Sequence, residues 1–86
     1  MAAAGTPLEH RHEATRHSIR WLEPNPRLDG TAADVAHQVY RTALFMLEVL
    51  DDGIELTAGL RKLREAKDCL VIQALEDLGG PHWEKV

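Results

Sequence analysis

The stretch that most restricts this chain is Asp51 to Leu78, DDGIELTAGLRKLREAKDCLVIQALEDL. It is a turn followed by a long helix, and the helix start is marked twice. Gly53 suits a left-handed closure of the preceding helix. Asp52 suits an N-cap, with Glu55 three residues on completing a variant capping box. Leu56, Leu60, Leu63, Leu70 and Ala74 then return at three- and four-residue steps, which is a core-facing stripe. Arg61 with Glu65, and Arg64 with Asp68, are opposite charges four apart. The pattern describes a helix for packing, and it holds no catalytic group.

The punctuation elsewhere fits two more helices. Thr6-Pro7-Leu8-Glu9 is a capping box with proline at the first helical position. It predicts a helix over 6–22, stopped by Pro24 and Pro26. Its apolar stripe of Leu8, Thr15, Ile19 and Leu22 is thin, so it must dock on something larger. A loop over 23–30 (EPNPRLDG) follows. Thr31 is the expected cap of a second helix over 31–50, with Asp34 favourable to its dipole. Val35, Ala36, Val39, Ala43, Met46, Leu47 and Leu50 form one face, and Leu44, Phe45 and Val49 widen it beyond one neighbour's reach. The short turn predicts that helices 31–50 and 53–78 pack as an antiparallel αα-hairpin. Gly79-Gly80-Pro81 ends it, leaving a tail over 79–86 whose order depends on Trp83 docking. The expected fold is all-α: one short N-terminal helix plus a long hairpin in a single domain, 1–86.

Eighty-six residues support only a small core, so oligomerisation is the expected source of further burial. A single cysteine, Cys69, precludes an internal disulfide; among apolar neighbours it reads as a reduced core filler. A net charge of −4 counts against binding a long nucleic acid. The opening MAAAGTPLE lacks the features of a signal peptide, and no apolar run is long enough to span a bilayer. A soluble intracellular protein is therefore expected.

His10, His12 and His17 suggest a metal, but residues two apart on a helix diverge. Glu13 and His17 share a face without a second ligand pair, so no metal site is expected. There is no Gly-rich phosphate loop, no GxSxG and no Cys–His pair, so no enzyme and no cofactor are expected. More suggestive are Arg16, Arg20, Trp21 and Arg27, together with His37, Tyr40 and Arg41 at i, i+3 and i+4 of the second helix. Arginine forks onto phosphate, and an indole face stacks on bases. The plainer expectation is that Trp21 pins the first helix while the arginines pair with Glu9, Glu13 and Glu23.

Glu55-Leu56-Thr57-Ala58-Gly59-Leu60-Arg61-Lys62-Leu63-Arg64-Glu65-Ala66 resembles the hairpin signature E-L-[ST]-x-x-L-x-K-L-x-E-A of the phage anti-CBASS and anti-Thoeris sponge family. Trp21-Leu22-Glu23-Pro24-Asn25-Pro26 sits where that family carries an aromatic-proline segment. The chain departs in reading WLEPNP for an aromatic-histidine-proline-proline run, and KDCLVIQAL after Ala66 for a tryptophan and an Ala-rich end. The resemblance implies a non-enzymatic protein of the infected bacterial cytoplasm. It implies sequestration of cyclic di- or trinucleotides, or cyclic ADP-ribose type messengers, between protomers of a homo-oligomer (dimer or higher, a hexamer included). On this reading Arg20, Trp21, Tyr40, Arg41 and His37 form the ligand site. Thr57 and Arg61, at the start of the third helix, form a second one, where free N–H groups favour anions. Alternative expectations are an αα-hairpin oligomerisation or protein-interaction module and, third, a small DNA-binding regulator.

Overall fold

The computed structural model describes residues 5–79 and is all-helical over them, about 48 Å long. A single 3-10 turn, Leu8–His10, precedes α1 (Glu13–Arg20), α2 (Gly30–Val49) and α3 (Ile54–Gly79). The expectations for 80–86, Trp83 among them, lie outside the described residues. Among those described, no helix is long and apolar enough to cross a membrane.

The expected helix over 6–22 is broken in two. Pro7, rather than Thr6, stands at the N-cap of the 3-10 turn. Arg11 is extended and turns its side chain inward, where it is 3 % exposed. His12 then restarts the helix, its ring nitrogen accepting the Ala14 N–H at 3.0 Å. No proline or glycine breaks this segment. The inward arginine does so.

The other caps also differ from expectation. Thr31 lies inside α2. Asp29 holds the N-cap without a side-chain bond, and Gly30 starts the helix at φ +57, a conformation natural to glycine. α2 closes on an extended Leu50, not on a left-handed Gly53. Arg11 donates to the carbonyls of Leu47 and, at 3.0 Å, Leu50, satisfying the end of the helix from a distance. Asp52 does not serve the capping box of α3; its carboxylate is given to the α1 segment, as described below.

α2 and α3 pack extensively, and α1 lies against α3. Ile19 and Leu22 meet Ala43, Leu47, Leu56 and Leu60 in one cluster, with Val39, Tyr40 and Leu63 packed on its edge. The cluster is confined to one end of α3. An eight-residue α1 covers roughly 12 Å, whereas the 26 residues of α3 extend roughly 39 Å. Further along, α2 is the helix beside α3, with Asn25 and Leu28 of the loop bordering Lys67 to Ile72, and α2 presents small side chains there, such as the buried Ala32 and Ala36. Leu70 is therefore half exposed rather than core, and Cys69 is exposed rather than a core filler. Phe45 (55 %), Val49, Leu50, Ile72, Leu75 and Leu78 are also open.

Candidate functional site

Two clusters hold the ends of α1. At its start, Arg11 and Asp52 form a buried ion pair at 3.0 Å. The second oxygen of Asp52 accepts the His12 N–H at 2.8 Å, and the first also accepts the Thr15 hydroxyl at 2.9 Å. Thr15 is itself fully buried. Burial pushes the Asp52 carboxyl up, but the His12 N–H, the Arg11 guanidinium and the Thr15 hydroxyl outweigh it and hold it at about 2. The arrangement is reciprocal: Arg11 satisfies the end of α2, while Asp52 satisfies the start of α1. A shallow cleft of about 260 Å³ opens beside it, lined by His12, Thr15, Asp52, Ile54 and Thr57 among others.

At the other end, Trp21 follows the last turn of α1. Its indole N–H donates to His17 Nε2 at 2.9 Å, with the two rings edge to face. The Arg64 guanidinium lies over the indole, 4.3 Å from the ring centroid. Lys67 Nζ, three residues further on α3, donates to the Trp21 carbonyl at 3.2 Å. Half of the Trp21 surface stays open. Trp21 thus pins α1 to α3, and Arg64 stacks on it in the place where an Asp68 pairing was expected.

The seven residues expected to bind ligand fall into separate patches. Arg20 lines a groove along α1 with His12, Glu13, Arg16 and His17. Trp21 faces α3. Tyr40 packs on the core edge; burial first, and the Glu23 charge second, raise its pKa. Arg41 is exposed on α2 and bonds Gln38 at 2.8 Å, and His37 is exposed nearby in sequence. Thr57 turns its hydroxyl back onto the Ile54 carbonyl at 2.9 Å. Arg61 is exposed on α3. Arg20 and Thr57 line two different clefts, one along α1 and one beside Asp52.

Sequence reasoning missed the partners. His17 and Trp21 are four apart on one face, so that pair was visible in the spacing. Arg64 and Lys67 carried no local signal towards Trp21. Among the described residues, no group of three His, Cys, Asp or Glu is placed to hold a metal ion. Compared with known proteins, the chain matches no family model, no curated protein and no solved structure.

Proposed function

We propose that the chain is a non-enzymatic sponge. It binds a cyclic oligonucleotide, or a cyclic ADP-ribose type messenger, and sequesters it unchanged, blocking the bacterial anti-phage defence that the messenger serves. The observation that carries this reading is the half-exposed Trp21, with the Arg64 guanidinium over its indole and Lys67 on its backbone carbonyl. A flat aromatic face bordered by donors suits a base joined to a phosphate. The resemblance of the Glu55–Ala66 segment supports the same class. The scattered expected residues are compatible with it when sites form between protomers of a homo-oligomer built on an antiparallel α2–α3 hairpin.

A second reading is an αα-hairpin oligomerisation module that carries no ligand. The open apolar side chains Phe45, Val49, Ile72, Leu75 and Leu78 favour it. Thermal-shift screening against cyclic di- and trinucleotides and cyclic ADP-ribose isomers separates the two. A ligand that raises the melting temperature and returns intact on chromatography is the expected result. No shift with any of them leaves the oligomerisation module. Light scattering should give at least a dimer mass at micromolar concentration, and a monomer there would remove the support both readings draw from the open face.

A further inference from the structure

We infer that Arg64 and Lys67 of α3 are the cations that meet the ligand phosphate, with Arg64 also backing a guanidinium–indole–base stack on Trp21. The identity of the ligand as a cyclic nucleotide rests on the reading above; the placement of the cations rests on geometry. Arg64 lies 4.3 Å from the indole centroid, so its guanidinium is already positioned against the ring, and less rotamer freedom is lost when it binds. A guanidinium has five donors and no acceptor, and stacking on an indole consumes none of them. Lys67 uses one of its three donors on the Trp21 carbonyl and keeps two.

The two residues are three apart on α3 and therefore share a face. The competing arginines are placed differently. Arg41 bonds Gln38 on its own helix, and Arg20 lines the α1 groove with Glu13 and Arg16. The cations in contact with Trp21 are Arg64 and Lys67. Arg64 lies over the indole and Trp21 remains half exposed, and that exposed part is the surface offered to a planar base. The class of ligand is thus a nucleotide: a base to stack and a phosphate to meet the two α3 cations.

The test uses Trp83→Phe protein, in which Trp21 is the sole tryptophan. Its emission is followed while GMP, a cyclic dinucleotide or inorganic phosphate is added. The two nucleotides should change the emission and inorganic phosphate should not. Arg64→Ala and Lys67→Ala should each weaken nucleotide binding about 10- to 150-fold, the value of one charge-assisted contact. Arg20→Ala and Arg41→Ala should change it less than about threefold, within the usual range for exposed charges. If Arg64→Ala loosens α1, as a lower melting temperature would reveal, Lys67→Ala decides, because it leaves the stack in place.

Binding unaffected by Arg64→Ala and Lys67→Ala overturns the assignment, even if cyclic nucleotides bind tightly and the sponge reading stands. The converse pattern is a GMP response that depends on Arg64 and Lys67 while cyclic nucleotides are inert. It keeps this site and removes the sponge. No change in Trp21 emission with either nucleotide removes this site and leaves the sponge reading to the thermal-shift screen.

Discussion

The two ends of α1 are fastened by opposite physics. At the start, Arg11 and Asp52 are 3 % exposed each and bound by multiple hydrogen bonds. At the finish, Trp21 is 50 % exposed and held by one stacked guanidinium, one histidine and one lysine. Breaking one side of a buried pair costs far more than the pair is worth, because the survivor is left charged and unsolvated. An exposed cation–π contact contributes only about 0.5–1 kcal/mol. The buried end therefore sets where α1 sits. The open end adds less to the fold, so a change there should leave α1 in place.

The largest effect should come from Asp52→Ala. It strands Arg11 and is expected to cost about 3–5 kcal/mol in chemical denaturation. An Arg11→Met, Asp52→Leu double variant should recover only part of that loss, because the Thr15 hydroxyl, the His12 N–H and the Leu47 and Leu50 carbonyls lose their partners. A cost below about 1 kcal/mol for the single variant would end the contrast between the two clasps.

Acid should reach the same clasp without mutation. The Asp52 carboxyl sits at about 2 in the fold, below its ordinary 3.8, so its contribution is complete above the ordinary value. That contribution is lost as pH falls from 3.8 towards 2. The melting temperature should fall across this window in the parent and fall less in Asp52→Asn. The alkaline side has its own reporter, because Tyr40 is the sole tyrosine. Its raised pKa means that stability is full below 10 and declines as pH climbs through the folded value. An ultraviolet titration should give a midpoint above 10, only partly lowered by Glu23→Gln, since burial is the larger cause.

Trp21→Ala should cost the fold only about 1 kcal/mol, yet weaken nucleotide binding about 5- to 150-fold. Collapse of the fold on this change would make the open clasp structural and erase the comparison. The smallest effect belongs to Cys69→Ser. An exposed side chain should change stability by less than about 0.5 kcal/mol, and native Cys69 should react readily with a disulfide reagent.

Much of the helical layout was legible because glycine, proline and apolar spacing are local signals. Leu56, Leu60 and Ala74 stood in the stripe at three- and four-residue steps and are buried. The errors share one origin. Asp52 beside Gly53 and ahead of Glu55 has every local mark of a helix cap, but a carboxylate goes to its best partner. That partner, Arg11, is 41 residues away. The same arginine breaks the first helix where no breaker residue stands. Leu70 follows the helical period and Cys69 has apolar neighbours in sequence, but such signals report which stretch of a helix is apolar, not how far along a neighbour reaches. The shortness of α1 decided that. At the candidate site, Trp21 was legible as an aromatic at a helix end. Its α3 cations were not, because Arg64 and Lys67 look like solvated charges until the chain is folded.

The Arg11–Asp52 pair also carries a timetable. On the ribosome the segment with Arg11 emerges first, but its counter-charge is made 41 residues later. At about 5–20 residues per second, that is a wait of about 2–8 s. Until then the 8-residue α1 is too short to persist by itself, and the Leu47 and Leu50 carbonyls that receive Arg11 do not yet end a finished helix. Docking of α1 thus follows completion of the α2–α3 turn during synthesis, so a segment made earlier is placed later than the turn that receives it.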